Sequence, residues 1–146
     1  MNKRGLLKVV ASAGLLMASV LPVAAHHSFS AEFDSTKPIT LEGQVVQMEW
    51  VNPHSWLTID VTKADGTVER WKLEGGSPSV LLRLGWNRNS LPAGTKIKVI
   101  AFQAKDGAFR GSTREIEFPD GRKMNMGGSG TKDGQDKQDK EDKQDK

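Results

Sequence analysis

The chain has 146 residues, of which 36% are hydrophobic and 27% are charged, and none is cysteine. Without cysteine the protein can form no disulfide, thiolate metal site, cysteine-linked lipid anchor or cysteine nucleophile. Three of the 21 basic residues lie in the first 25 positions, which leaves 18 basic against 18 acidic residues in the rest of the chain. This balance lacks the basic surplus typical of nucleic-acid binding, so nucleic acid is not predicted as a partner.

Residues 1–25 have the pattern of a secretory signal peptide. A basic start precedes an apolar run over residues 9–21, and Val23-Ala24-Ala25 supplies the small side chains of a cleavage site. The run is shorter than the ~20 residues that a membrane span needs, and no comparable run follows it. We therefore expect a periplasmic or secreted protein whose mature chain begins at His26 and has no transmembrane segment.

The first half of the mature chain reads as three strands. Apolar and polar residues alternate over residues 39–45, and the alternation resumes one residue out of phase over residues 46–50. This shift predicts a bulge or sharp bend within one long strand. Asn52-Pro53-His54 then forms a turn, and residues 56–73 read as a hairpin around Asp65-Gly66.

One helix and two strands follow in the second half. Ser77 can cap the helix, Pro78 suits its first position and Gly85 can end it. Alternating apolar residues then predict strands over residues 97–101 and 112–118. Three strands, one short helix and two strands give the order of an all-β, five-stranded OB-like barrel. The structural alternative is a sheet covered by one helix.

The composition changes again near the C-terminus. Gly127-Gly128-Ser129-Gly130 is typical of a flexible break, and from Gln135 the chain repeats Gln-Asp-Lys or Glu-Asp-Lys with no apolar residue. Such a segment cannot bury enough apolar surface to offset the entropy of ordering it. We predict one folded domain over residues 26–126 and a disordered charged tail over residues 127–146.

Two of the three histidines stand at the predicted mature N-terminus. After cleavage behind Ala25, the free amine and Nδ1 of His26 can chelate a metal ion. A second imidazole, from His27 or His54, would complete a nitrogen set that suits Cu(II). This arrangement resembles the histidine brace of secreted copper proteins. The alternative is an incidental, solvated His-His pair, with His54 making a structural hydrogen bond at its turn.

The methionines suggest a second copper hypothesis. Met48 and Trp50 share a strand face, and Met124 and Met126 follow the last predicted strand. Soft thioethers suit Cu(I), and small periplasmic copper carriers combine histidine, methionine and tryptophan. The alternative places Met48 in the core and the other two methionines in a mobile chain end.

Trp56 and Trp71 are the candidates for a ligand platform without metal. OB barrels bind their ligands on the face of the second and third strands, where these two tryptophans are predicted. Such a face, or the Glu74-Gly75-Gly76-Ser77-Pro78 loop, would make the protein an interaction module for a peptide, a sugar or an envelope partner.

The sequence contains no catalytic motif. It has no Gly-x-Ser-x-Gly elbow, no His-Glu-x-x-His pair and no dinucleotide fingerprint, and no residue is predicted to be catalytic. A weak enzyme would need a cleft that the sequence does not reveal. We therefore expect an exported, non-catalytic binding protein, with a copper-type ion as its first candidate ligand.

Several motifs occur together along the predicted domain: His26-His27-Ser28-Phe29, Glu32-Phe33-Asp34, Glu49-Trp50-Val51-Asn52-Pro53-His54, Glu74-Gly75-Gly76-Ser77-Pro78, Leu84-Gly85-Trp86 and Pro119-Asp120-Gly121-Arg122-Lys123. In this combination the chain resembles, from His26 to Lys123, a family of small exported bacterial proteins of unknown function. The resemblance implies a periplasmic or secreted location, and it implies no activity, ligand or site residue. The tail after Gly127 lies outside the resemblance.

Overall fold

The computed structural model describes residues 29–130, and this part of the chain is mostly β-structure. Its elements are, in chain order, α1 (Phe29–Glu32), β1 (Phe33–Glu49), β2 (Trp56–Thr62), β3 (Val68–Glu74), α2 (Pro78–Arg83), β4 (Lys96–Ala104), β5 (Arg110–Glu117) and β6 (Lys123–Asn125). The predicted signal peptide, His26, His27 and the Gln-Asp-Lys repeats lie outside the described residues. Within residues 29–130, no helix has both the length and the apolar character needed to cross a membrane.

The strands form one sheet in the order β3-β2-β1-β4-β5-β6, with antiparallel pairing between neighbours. β3 also pairs in parallel with β5, through residues 72–74 and 110–112. Glu74, the last residue of β3, is therefore registered with Trp56 of β2 and with Ser112 of β5. This double pairing places one carboxylate where three strands meet.

The prediction of a mostly β domain with a short helix after the third strand is confirmed. α2 begins at Pro78 as predicted, and Gly85 follows it with a positive φ of 89°. Ser77 occupies the N-cap position but makes no capping hydrogen bond, because its hydroxyl pairs with that of Ser79 at 3.0 Å.

The structure adds two elements that the sequence did not predict, α1 and β6. α1 has four residues and β6 has three, and a segment this short shows neither a helical nor a strand-like hydrophobic period. The sheet therefore has six strands where five were expected.

β1 is a 17-residue strand that serves two partners. Its first part pairs with β4 and its last part with β2, and Gln44 pairs in both directions. The register with β2 shifts between Val45 and Gln47, which confirms the predicted irregularity. At neighbouring Gly43, a Cβ atom would lie 2.7 Å from the carbonyl oxygen of Asp60, so only glycine lets β2 approach this closely.

The main hydrophobic core collects inward-facing residues of β1 to β5 together with Leu81 of α2. Its fully buried side chains include Leu57, Ile59, Leu73, Leu81, Val99 and Ile116. Trp86, after α2, is also buried, and its Nε1–H donates a 2.7 Å hydrogen bond to the carbonyl oxygen of Asn125. This bond ties the chain behind α2 to β6, so β6 belongs to the fold although it is short.

Residues 126–130 follow β6, and we call them the C-terminal strap. Met126 is fully buried, and its carbonyl oxygen accepts a 2.8 Å hydrogen bond from the amide of Gly76. The amide of Gly128 donates to the carbonyl oxygen of Thr113 at 3.2 Å. Contacts with the fold therefore continue to residue 130, beyond the predicted domain boundary at Met126.

The glycines of the strap are what allow it to lie so close to the fold. A Cβ atom on Gly127 would come within 2.7 Å of Val80 Cγ1, and one on Gly128 would overlap the carbonyl oxygen of Thr113. The glycines that predict a flexible break in the sequence thus allow close packing here, because the lack of a side chain permits both backbone freedom and close approach.

Candidate functional site

The loop between β1 and β2 carries His54 and is held against the end of β3. Its Asn52–Pro53 peptide bond is cis. The amide of Ser55 donates to the carbonyl oxygen of Gly76 at 3.0 Å. The amide of Gly75 donates to the carbonyl oxygen of Ser55 at 2.8 Å. These two backbone bonds join the residue after His54 to the glycine pair after Glu74.

His54 and Glu74 form the central contact of this site. Nδ1 of His54 lies 2.6 Å from Oε1 of Glu74, with 41% of the histidine side chain exposed but only 8% of the glutamate side chain. At this distance the Nδ1–H group donates to the carboxylate. A hydrogen bond donated by Nδ1–H selects the neutral imidazole tautomer whose Nε2 carries the lone pair, and that nitrogen is the one able to coordinate a metal.

The C-terminal strap contributes a second donor to the same carboxylate oxygen. The Ser129 hydroxyl donates to Glu74 Oε1 at 2.9 Å, and Ser112 Oγ lies 3.3 Å from Ser129 Oγ. Glu74 therefore connects the His54 loop, β5 and the strap. Acidic side chains are rarely this buried unless they are paired, and here the partners are an imidazole and a hydroxyl.

A separate aromatic cluster holds the chain that begins at Phe29. The Phe29 ring stacks on Phe33, with centroids 5.7 Å apart, and forms a T-shaped contact with Phe102, with centroids 5.6 Å apart. Phe33, Phe102 and Ala104 are buried together, apart from the main core. This second core fixes α1 on the outside of the β1–β4 pair.

Polar contacts fix α1 as well. Glu32 Oε1 lies 2.6 Å from Arg110 Nη1, and the carbonyl oxygen of Glu32 accepts a hydrogen bond from the amide of Lys105 at 2.9 Å. The Lys105 ammonium donates to the carbonyl oxygen of Ser30 at 2.5 Å. Residues 29–32 are thus anchored by apolar packing, an ion pair and hydrogen bonds to backbone carbonyl groups.

The strap connects this anchor to His54. A Cβ atom on Gly130 would lie 2.5 Å from Cε2 of Phe29, so the strap backbone rests on that ring. The preceding residue, Ser129, is hydrogen-bonded to Glu74, and Glu74 is hydrogen-bonded to His54. Every step in this path is a direct contact or one peptide unit of about 3.8 Å.

The two tryptophans of the predicted platform lie on opposite faces of the sheet. Trp56 is registered with Glu74 and Trp71 with Ile59, so the alternation of side chains along β2 and β3 separates them. Trp71 is 5% exposed and belongs to the main core. Trp56 is half-buried on the outer face, with the Lys72 ammonium 5.0 Å from its ring centroid. Of the two tryptophans predicted to form a ligand platform, Trp56 is the one that lies on the outer face.

The methionines of the second copper hypothesis are spread along the main core. Met48, Trp50 and Met124 are half-buried and pack against it, and Met126 is fully buried within it. The Arg88 guanidinium lies 5.7 Å from the Trp50 ring centroid. Met48 is core packing, which was the alternative interpretation, while Met124 and Met126 are packed residues and not a mobile chain end.

Residues 29–130 do not hold a complete metal site by themselves. Among them, no group of three or more histidine, aspartate or glutamate side chains is placed to hold an ion. His54 is the predicted ligand that the structure describes, and His26 and His27 lie outside the described residues.

Ser112 and Ser129 are site residues that sequence analysis did not predict, and Glu74 was named there only as part of the loop proposed for the interaction module. In the strand pattern Glu74 falls on the same outward face as Trp56 and Lys72, where an acidic residue is ordinarily solvated. It is buried because the His54 loop and the strap cover it, and no local pattern carries that information. The one available signal was its place before two glycines.

These features define a small, mostly β domain in which the first and last described residues are in contact and a half-exposed histidine is held by a buried carboxylate. The chain belongs to the family of unknown function DUF6152, whose model matches residues 13–114. This confirms the predicted membership of a family without known function, and the match begins before His26 and ends within β5. No curated protein and no solved structure matches the chain.

Proposed function

We propose that this protein is an exported, non-catalytic binding protein that holds a copper-type ion at its mature N-terminus, with His26 and His54 as ligands and His27 as the other candidate. The observation that carries the proposal is the path of contacts from Phe29 through Gly130, Ser129 and Glu74 to His54. It links the beginning of the described chain to the His54 imidazole through consecutive contacts.

We infer that the chain before Phe29 covers the rest of the distance to His54. An extended residue spans at most about 3.5 Å, so the three steps from Phe29 back to His26 cover up to about 10 Å. After cleavage behind Ala25, the His26 amine and Nδ1 form a chelate ring, and Nε2 of His54 supplies a third nitrogen. Nitrogen donors in a tetragonal arrangement favour Cu(II).

Glu74 suits His54 to this role. A metal-binding histidine almost always donates its other N–H to a carboxylate, a carbonyl or a water, which fixes the ring and makes the coordinating nitrogen more basic. His54 has this arrangement, with a carboxylate that is itself buried and hydrogen-bonded. An incidental surface histidine does not require such support.

We also infer an OB-type barrel and a periplasmic or secreted location. The neighbour pairs and the added β3–β5 pairing support the barrel, because they make a closed circuit β1-β2-β3-β5-β4-β1 with α2 between β3 and β4. The signal-peptide pattern of residues 1–25 supports export, and export creates the free amine that the metal site needs.

The alternative is an interaction module that binds a peptide, a sugar or an envelope partner without metal. The outer face of β2 favours it, since Trp56 is half-buried there and shares that face with Asp60. Asp60 lines a groove of ≈ 600 Å³ together with Gln44 and Lys96. A platform of this kind would be indifferent to the N-terminal amine.

Cu(II) titration of protein processed by its own signal peptidase tests the proposal. We expect tight binding that is lost when one extra residue precedes His26. Loss of an outer-shell partner already costs about 10–100-fold in metal affinity, so His54→Ala should weaken binding at least as much. Asp60→Asn, in the groove of the alternative, is the control and should bind copper normally. Equal affinity in the processed and extended forms would contradict the proposal and favour the interaction module.

A further inference from the structure

Glu74 is the unusual acidic residue of the described chain, because its carboxylate is largely buried yet bonded to two groups from distant parts of the sequence. Its Oε1 atom accepts from His54 Nδ1 at 2.6 Å and from the Ser129 hydroxyl at 2.9 Å. Residues Ser112 and Trp56 lie beside it in the register of the sheet. The carboxylate is therefore fixed from the sheet side and from the strap side.

We propose that Glu74 is the positioning residue of His54 and that the C-terminal strap, through Ser129, completes this positioning. The proposal rests on the proposed metal function for its consequence, which is control of copper affinity. Its structural part, the tautomer and orientation of His54, is independent of metal.

The strap is bound tightly enough for this role. Met126 is fully buried, Gly76 and Thr113 hydrogen-bond to the strap backbone, and Gly130 lies against Phe29. Its backbone is thereby set in place before Ser129 reaches the carboxylate. A hydroxyl on such a backbone restricts the rotamers of Glu74, and the rotamer of Glu74 sets the direction of the imidazole.

The same contacts link the anchor at Phe29 to the site. Because Gly130 rests on Phe29 while Ser129 binds Glu74, a shift of the strap would move both the support of His54 and the support of the chain that leads back to His26. Copper held by both histidines would stabilise the docked strap, and the docked strap would in turn favour copper binding.

The first test needs no metal. Long-range ¹H–¹⁵N spectra of the imidazole, recorded at a pH where the spectra show the ring to be neutral, should show His54 protonated on Nδ1 in the native chain. Glu74→Leu should give a mixture of tautomers, whereas Glu74→Gln, whose amide oxygen can still accept, should keep the native tautomer. A native His54 protonated on Nε2 would overturn the proposal.

The second test measures copper on the same full-length variants. Glu74→Leu should lower Cu(II) affinity by about 10–100-fold and change the electron paramagnetic resonance spectrum to that of His54→Ala. Glu74→Gln should keep the native spectrum with weaker binding, and Ser129→Ala should fall between the native chain and Glu74→Leu. Ser79→Ala, a serine substitution on α2, is the control and should change neither measurement.

The outcomes separate the two proposals. If the native protein binds no copper while the tautomer results hold, the proposed metal function fails and the positioning role stands. If copper binds through His54 but Glu74→Leu and Ser129→Ala keep native affinity and spectrum, the positioning role is wrong and the metal function stands. Native circular dichroism spectra of the variants establish that they are folded.

Discussion

Gly130 lies against the aromatic ring of Phe29, so the end of the described chain covers its beginning. A Cβ atom on Gly130 would lie 2.5 Å from Cε2 and 2.6 Å from Cζ of that ring. The contact joins the strap to the separate aromatic cluster of Phe29, Phe33 and Phe102. One residue earlier, Ser129 of the strap is hydrogen-bonded to Glu74. The surroundings of His54 are thus built from parts of the sequence that a local pattern cannot associate.

The contact between Gly130 and Phe29 predicts a steric coupling. We expect Gly130→Ala to lower the free energy of unfolding by about 1–3 kcal/mol, as added volume in a packed contact does. In a Phe29→Ala background the same change should cost less, because the ring with the closest contact is gone while Phe102 Cδ2, at 3.1 Å, remains. Urea unfolding of the four proteins measures this, and strictly additive costs would contradict the contact.

Trp71 and Trp56 should respond differently to the same substitution. Trp71→Ala should destabilise the protein by about 3–5 kcal/mol, since it empties a site in the main core. Trp56 lies half-buried on the outer face, and its replacement by alanine should cost clearly less. Chemical denaturation of the two variants provides the comparison. Comparable losses would mean that the two indoles do not lie on opposite faces as described.

The turn at Asp65 predicts a loss of stability in acid. The hydroxyl of Thr67, at 2.6 Å, and then its amide, at 2.9 Å, hold the pKa of the Asp65 carboxyl below its usual 3.8. A folded-state pKa below the unfolded value means stability that is present above the unfolded pKa and is lost as pH falls through the folded pKa.

The urea midpoint should therefore fall as the pH drops below the usual carboxyl pKa of 3.8. Asp65→Asn keeps an oxygen acceptor for Thr67 but cannot titrate, so its midpoint should fall less over the same range. Asp34, which accepts from Thr36 in the same way, also has a lowered pKa and would preserve part of the acid sensitivity. An identical pH profile in Asp65→Asn and the native chain would count against the turn's contribution.

Thr113 offers a stabilising substitution. Its hydroxyl is buried and has no hydrogen-bond partner within residues 29–130. An unsatisfied buried polar group costs about 1–3 kcal/mol, so Thr113→Val should raise the free energy of unfolding by up to that amount. Ser112→Ala removes a hydroxyl that does have a neighbour, Ser129 Oγ, and should not stabilise. Thermal melts of both variants decide the point, and a destabilised Thr113→Val would show that the hydroxyl is satisfied.

Most of the secondary structure was predictable because it follows from local alternation and turn residues. The phase shift around Val45 indicated the bulge in β1, and Pro78 and Gly85 marked the limits of α2. α1 and β6 were missed because each is too short to have a period. The contribution of residues 127–130 was missed because a glycine-rich segment is compatible both with a flexible chain and with a closely packed one.

The site was predictable only in part. His54 stood out because histidine is rare in this chain, with three residues in total. Trp56 and Trp71 were expected to share a face because their strands are neighbours. Trp71 is registered with Ile59, which lies on the face opposite to Trp56, so the two tryptophans lie on opposite faces. Glu74 could not be distinguished from any solvated glutamate, because its burial comes from a loop and a strap that are distant in sequence.

The sequence by itself determined which segments become strands, where they turn and which residues are apolar enough to form a core, since these properties depend on near neighbours. Only the tertiary structure decided that Phe29, Gly130, Ser129, Glu74 and His54 form one continuous set of contacts. The physical reason is that this set depends on how β3, β5 and the two ends of the chain pack together. Such packing depends on the register of the whole sheet and cannot be predicted from a pattern of neighbouring residues.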